Sequence, residues 1–286
     1  MRAAAIDFGG TITDVVVRSD ARPDRLLALP SLPRPSLDDV GAILARANDI
    51  DPEAAPSLDF VAVTGGRSRE LPDLLGATPL VRIEESSAIA FAGVESGAPT
   101  PAVVVSLGTG TALVLANPPA PPRHLVGSGI GGGTLAGLGR LLLGTANVGE
   151  IGTLARSGDA GRCDLRVGDI LGGGIGIVPA EATAAHFARL ARPGETPTRP
   201  EPADVAAALV NLVGQAVLRL AFEAALGHHA RAIVLLGHVL DVPGFRESVA
   251  RIPLLDPSFV RFADEPGFAV ARGALALARA ELEHGA

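Results

Sequence analysis

The sequence predicts an α/β protein made of two related halves. Apolar strands alternate with amphipathic helices along the 286 residues, which is the pattern of an α/β fold. A unit of strand, glycine turn and strand occurs twice, in residues 3–19 and again in residues 102–117. We therefore expect two domains, residues 1–98 and residues 99–286, that meet within the segment SGAPTP.

The first half opens with the strand AAAIDF (3–8), a turn at residues 9–11 and a second strand that runs to residue 19. Ser36 precedes two acidic residues and an apolar periodic stretch, so we expect it to cap a helix over residues 36–48. Short apolar runs predict strands at 58–64 and 79–83, and EESSAIAFAGVES (84–96) predicts a helix.

The second half repeats this order. The strand AVVVSLG (102–108) leads through a turn to the strand ALVLAN (112–117), and the glycine cluster 127–134 opens a helix over 135–144. Apolar periodicity predicts a long helix over 203–227 and a terminal helix over 268–283. Between them, ARAIVLLGHV (230–239) is a strand that ends at Gly237.

Composition excludes several classes of function. The net charge of −7 argues against nucleic-acid binding, which normally needs a basic face. Cys163 is the only cysteine, so it forms no internal disulfide and no Cys-rich metal site. The N-terminus lacks the apolar run of a signal peptide, and charge or glycine interrupts every long apolar stretch. We expect a cytoplasmic protein with no membrane partner.

All 24 positively charged side chains are arginines, because the chain contains no lysine. A phosphate group must therefore be held by arginine, by backbone N–H groups or by a metal ion. This restriction applies to every motif considered below.

Two glycine turns are candidates for phosphate binding. The first, IDFGGTIT, places Asp7 at a strand end beside Gly9, Gly10 and Thr11, where a carboxylate can hold hydrated Mg²⁺ and glycine amides can reach phosphate oxygens. The second, SLGTGT, presents Gly108, Thr109 and Gly110 in the same way. Either turn alone could be an ordinary tight hairpin, but one in each half indicates a nucleotide held between them.

A third glycine cluster, GSGIGGGT (127–134), precedes a helix, whose N-terminus attracts anions. Arg140 lies two turns into this helix and could bind a substrate carboxylate, although a surface arginine is the ordinary alternative. Glu84 and Glu85 follow the strand 79–83, and one of them could accept a proton from a substrate hydroxyl. A carboxylate pair favoured by the helix dipole is the alternative for these two residues.

The order of these motifs resembles that of the type II pantothenate kinases along nearly the whole chain. The two hairpins resemble the phosphate motifs of the acetate and sugar kinase, chaperone and actin superfamily. TGG (64–66), IEESSAIAFAG, GSGIGGGTLAGLGRLL, LRVGDILGGG (165–174) and IVLLGHV narrow the resemblance to this family, and GIGGGT followed by GLGRLL is the most specific piece.

The resemblance implies two ribonuclease H-like (actin-like ATPase) domains with an interdomain nucleotide cleft. It also implies a cytoplasmic homodimer that uses ATP and Mg²⁺ to phosphorylate pantothenate in coenzyme A biosynthesis, with an acyl-CoA ester as an inhibitor. Glu85 would be the general base, and Asp7 would lie near the metal and the γ-phosphate. The remaining roles are shared by two groups of residues. The phosphates and adenosine would contact Gly9, Gly10, Thr11, Thr13, Gly108, Thr109, Gly110 and Gly237, and pantothenate would contact Ser128, Gly131, Gly132, Gly133, Thr134 and Arg140.

The sequence departs from the family pattern in two places. Family members commonly carry lysine after the threonine of the first hairpin, where this chain has Asp14, and they commonly have Asp-Glu where it has Glu84-Glu85. Two other functions therefore stay open: a kinase or ATPase of the same superfamily with another small-molecule substrate, and a non-catalytic regulator that binds nucleotide or acyl-CoA.

Overall fold

The computed structural model describes residues 1–20, 22–48, 58–192, 199–250 and 257–284. The strands are β1 (Arg2–Phe8), β2 (Ile12–Ser19), β3 (Arg22–Pro30), β4 (Phe60–Thr64), β5 (Leu74–Leu75), β6 (Thr78–Arg82), β7 (Ala102–Leu107), β8 (Thr111–Ala116), β9 (Arg123–Ser128), β10 (Leu165–Arg166), β11 (Thr183–Ala185), β12 (Ala232–Leu236) and β13 (Val260–Phe262). The helices are α1 (Leu37–Asn48), α2 (Glu85–Glu95), α3 (Gly132–Leu143), α4 (Val148–Ala155), α5 (Val167–Leu171), α6 (Pro202–Gly227), α7 (Phe245–Ala250) and α8 (Ala269–His284).

The predicted elements are confirmed within a few residues at their ends. The cap of α1 is also confirmed, since the Ser36 hydroxyl accepts from the Asp39 amide at 3.2 Å and the Asp39 carboxylate accepts from the Ser36 amide at 2.8 Å. The elements that were not predicted are the strands β3, β5, β9, β10, β11 and β13 and the short helices α4, α5 and α7.

Two large sheets repeat one topology. The first has the order β3-β2-β1-β4-β6-β5, and the second has the order β9-β8-β7-β12-β13. In each sheet an antiparallel three-stranded meander is extended by two parallel strands. The repeat of strand, glycine turn and strand seen in the sequence is therefore a repeat of whole sheets.

The sheets and helices form alternating layers. Helix α8 packs on β1 and β4 of the first sheet, α2 packs on β7 and β8 of the second, and the two helices pack against each other. One apolar core, rich in alanine, includes residues of both sheets and both helices. The outer face of the first sheet is covered by α1, and that of the second by α3, α4 and α6. Because both faces are covered, β1 and β7 have continuous apolar sequences.

Helix α6 is long and apolar enough to cross a membrane by length and composition alone. Half of its most apolar segment is buried within the protein, where Leu209, Val213 and Val217 join the core against the second sheet. Core helices of soluble proteins meet the same criterion.

Candidate active site

The two predicted phosphate turns lie against each other. The first connects β1 to β2 and the second connects β7 to β8, and the hydroxyls of Thr11 and Thr109 are hydrogen bonded at 2.8 Å. Ser31 braces the first turn, since its hydroxyl donates to the Gly9 carbonyl at 2.7 Å and its amide donates to the Thr11 carbonyl at 2.9 Å. Residues 98 positions apart thus share one site.

Backbone amides of both turns are available to a ligand. Within the described residues, the N–H groups of Gly10, Thr11, Thr109 and Gly110 donate to no protein acceptor. Unpaired amides in a concave turn form an anion site without any cationic side chain. A phosphate group that enters between the turns would replace the hydrogen bond between the two threonine hydroxyls.

The third glycine cluster supports the second turn. The amides of Gly132 and Gly133, at the start of α3, donate to the carbonyls of Gly108 and Thr109 at 2.9 Å each. Gly131 is required because a Cβ there would lie 2.8 Å from the Gly110 carbonyl oxygen. These helix N-terminal amides are therefore used within the protein, and the cluster holds the turn in place.

A cavity of about 650 Å³ lies where the turns meet. The predicted site residues that line it are Asp7, Gly9, Gly10, Thr11, Glu85, Gly108, Thr109, Gly110, Ser128, Gly132, Gly133 and Gly237. Asp14 and His238 also line it, and no arginine does within the part of the chain that the structure describes. A chain without lysine can bind phosphate through arginine, backbone amides or a metal ion. This cavity presents backbone amides and a carboxylate that is suited to a metal ion.

Four predicted site residues lie outside this lining. Thr13 is fully buried, with a hydroxyl that has no partner within the described residues. Gly131 packs under the second turn, and the Thr134 hydroxyl caps α3 by accepting from the Gly131 amide at 3.1 Å. Arg140 is exposed on α3, one turn beyond the lining residue Ala136.

Asp7 presents a carboxylate to the cavity. Its Oδ1 is buried and has no hydrogen-bond partner within the described residues. The pKa of Asp7 is raised from 3.8 to about 8, mainly by burial and then by the charges of Glu85 and Asp14, while His238 opposes the shift. An unpartnered carboxylate oxygen beside a phosphate site fits Mg²⁺, which takes oxygen ligands.

Glu85 is the first residue of α2 and lies between two cavities. It lines the cavity of about 650 Å³ and also an adjoining cavity of about 490 Å³. Glu84 lines only the second cavity, where its carboxylate accepts a hydrogen bond from the Ser86 hydroxyl at 2.8 Å. Glu85 is thus the acidic residue of the pair that faces the phosphate turns.

Asp14 pairs with a histidine from the other sheet. The Asp14 Oδ1 lies 2.7 Å from Nε2 of His238. His238 follows Gly237, whose φ of 105° turns the chain after β12 and whose missing Cβ leaves room for the Leu107 carbonyl. Burial opposes charge on His238, but the hydrogen bond and charge of Asp14, with Asp241, outweigh it and raise its pKa. The sequence provided no signal for this contact.

Known proteins match this chain in sequence. Residues 80–244, more than half of the chain, match the Fumble family. The chain belongs to the Fumble family. A type II pantothenate kinase of Bacillus cereus is 27% identical over 255 residues, which are 84% of each chain. A type II pantothenate kinase of Oceanobacillus iheyensis is 32% identical over 184 residues, which are 62% of this chain and 66% of that protein. The resemblance read from the motifs is confirmed.

Solved structures share the fold of this Fumble family member. The activator of 2-hydroxyisocaproyl-CoA dehydratase from Clostridium difficile, with bound ADPNP, has a TM-score of 0.66 at 16% identity and covers 100% of this chain and 97% of its own. A ROK family glucokinase from Streptomyces griseus, in complex with glucose and AMPPNP, has a TM-score of 0.55 at 17% identity and covers 98% of this chain and all of its own. The predicted actin-like fold class is confirmed.

Replacement of Asp7 with asparagine should stabilise this Fumble family protein at high pH. Because folding raises the pKa of Asp7 from 3.8 to about 8, the folded state holds a proton that the unfolded state releases between these values. The free energy of unfolding of the wild type should fall relative to that of Asp7→Asn as pH rises from 4 to 8. The fall should be at most about 1.4 kcal/mol for each pH unit. Urea denaturation at several pH values measures the difference, and parallel pH profiles of the two proteins would contradict it.

Proposed function

We propose that this protein transfers the γ-phosphoryl group of ATP to the primary hydroxyl of pantothenate, as the first step of coenzyme A biosynthesis. The observation that carries the proposal is the pair of glycine turns that face each other across one cavity, with Glu85 on its wall. The relatives at 27% and 32% identity are named type II pantothenate kinases, and two proteins of the same fold hold ATP analogues.

The free amides of the two turns would bind the β- and γ-phosphates of ATP. Glu85 would accept the proton of the substrate hydroxyl while the hydroxyl oxygen forms a bond to the γ-phosphorus. The bond from that phosphorus to the bridging oxygen then breaks, and ADP leaves. Mg²⁺, held through Asp7, would supply positive charge that offsets the phosphates. Gly237, at the turn after β12, would lie beside the adenosine.

Pantothenate would lie along α3 with its carboxylate at Arg140. Ser128, Gly132, Gly133 and Ala136 line the cavity, and Arg140 follows Ala136 by four residues on the same face of the helix. Within the described residues Arg140 makes no ion pair, so its guanidinium is available for a forked contact with a carboxylate.

A homodimer would cover the exposed apolar surface next to Arg140. Leu141 and Leu142 on α3 are 77% and 51% exposed, and Ile170, Leu171, Ile175 and Ile177 are exposed at 51% to 78%. Exposed large apolar side chains are typical of subunit interfaces, and a homodimer would bury those on α3. The division into domains at residues 98 and 99, the cytoplasmic location and inhibition by acyl-CoA esters stay predictions from the sequence.

Glu85→Gln should abolish phosphorylation of pantothenate while ATP binding is kept. Loss of the base should lower kcat by about 10²- to 10⁴-fold, and the dissociation constant of MgATP should change little because the turns are intact. ADP release in a coupled assay and calorimetric ATP titration measure the two quantities. Glu84→Gln is the matched control and should keep most activity, and equal losses in both variants would contradict the role of Glu85.

Arg140→Ala should raise the KM for pantothenate by about 10- to 100-fold through loss of a charged hydrogen bond, with the KM for ATP unchanged. Steady-state kinetics with each substrate varied in turn tests this. Arg69→Ala is the control, because Arg69 lines the adjoining cavity of about 490 Å³ on the other side of Glu85. A large rise in the KM for pantothenate in Arg69→Ala, with no rise in Arg140→Ala, would indicate that pantothenate binds in the adjoining cavity instead.

Leu141→Glu should convert the protein to a monomer, since a charge at the centre of an apolar interface is not solvated. Light scattering coupled to size-exclusion chromatography measures the mass of the particle. Leu74→Glu, on the far edge strand β5 and 55% exposed, should leave the dimer intact. A wild-type monomer at micromolar concentration would refute this arrangement.

A further inference from the structure

A contact between a carboxylate and an imidazole joins the two sheets inside the cavity between the phosphate turns. Asp14 lies on β2 of the first sheet and is only 7% exposed, while His238 follows β12 of the second sheet. Their side chains meet at 2.7 Å although 224 residues separate them in sequence. Both residues also line the cavity between the phosphate turns.

The imidazole of His238 is 24% exposed and has three neighbours besides Asp14. Its Nδ1 lies 3.5 Å from Oδ2 of Asp241, and its ring stands edge-on to Phe268 with centroids 5.4 Å apart. A Cβ at Gly267 would lie 2.3 Å from the ring, so the backbone itself closes one face. Because His238 directly follows Gly237, its contact with Asp14 connects β2 to the turn after β12.

The charges around His238 favour a doubly protonated ring. Carboxylates face both of its nitrogens, and the neighbouring strand β1 contributes Asp7 to the same cavity. The charged residues of the other segments packed near His238 have other partners. Arg246 donates to the Leu240 carbonyl, and Glu265 pairs with Arg272. Strand β7 contributes no charged residue. His238 is the one side chain of the described cavity lining that can carry positive charge, and it offsets Asp14.

We propose that Asp14 and His238 are positioning residues that clamp the two sheets at the spacing that a nucleotide requires. The clamp fixes the turn at Gly237 relative to the turn at Gly9–Thr11. The proposal rests on the proposed function only in that the cavity binds a nucleotide, and not on the identity of the phosphate acceptor.

A double-mutant cycle tests the clamp through nucleotide affinity. Titration calorimetry with the Mg²⁺ complex of a non-hydrolysable ATP analogue is carried out on wild type, Asp14→Asn, His238→Gln and the double variant. Each single change should weaken binding about tenfold, as expected for loss of a charged hydrogen bond. The double variant should be weakened no more than either single variant, because the two residues act as one unit.

Asp241→Asn is the matched control, since it removes the exposed carboxylate on the other side of the same ring. Its affinity for the analogue should stay within about twofold of wild type. In the kinase assay the variants of Asp14 and His238 should raise the KM for ATP more than they lower kcat. The melting temperatures of all variants show whether a weaker affinity comes from unfolding or from displacement of the two turns. A folded variant that lacks the clamp but keeps wild-type affinity, or additive single effects, overturns the proposal.

The same experiment separates this inference from the kinase assignment. A wild-type protein that binds the analogue but forms no ADP with pantothenate would refute the assigned substrate, and the cycle would still decide the clamp. A wild-type protein that binds no nucleotide would overturn both.

Discussion

The contact between the two glycine turns depends on the helix layer that both sheets share. Helices α2 and α8 pack against each other and each covers one sheet, so the ends of β1 and β7 reach the same place. Alanine fills this layer on the strands and on the helices, with Ala3, Ala62, Ala88 and Ala274 among its fully buried members. Small side chains allow close packing, and close packing brings Thr11 within hydrogen-bond distance of Thr109.

The charge of the cavity follows from a chain without lysine. Three carboxylates, those of Asp7, Asp14 and Glu85, line a space that would hold a polyphosphate. Each would repel the ligand if it stood alone in a medium of low dielectric. Backbone amides supply hydrogen-bond donors that carry no charge, and His238 pairs with Asp14. A metal ion at Asp7 would offset the charge of that carboxylate and of the phosphates. The negative charge of Asp14 is therefore compensated inside the protein.

Most of the fold could be predicted because its signals are local. Apolar runs, glycine turns and the cap at Ser36 depend on neighbouring residues, and the repeated hairpin indicated two equivalent sheets. Twelve of the sixteen predicted site residues line the cavity, since strands that end in glycine turns are typical of phosphate sites. Apart from the meeting of the two glycine turns, long-range contacts could not be predicted. Nothing local connects Asp14 to His238 or Ser31 to Gly9, and the use of the Gly132 and Gly133 amides within the protein depends on where the second turn lies.

A crystal structure with Mg²⁺ and a non-hydrolysable ATP analogue tests the central claim most directly. We expect the β- and γ-phosphates to lie between residues 9–11 and 108–110, bound by amides of both turns, with the hydrogen bond between Thr11 and Thr109 broken and the metal at Asp7. Phosphates bound elsewhere, or a nucleotide held by only one turn while the two threonine hydroxyls stay bonded, would contradict it.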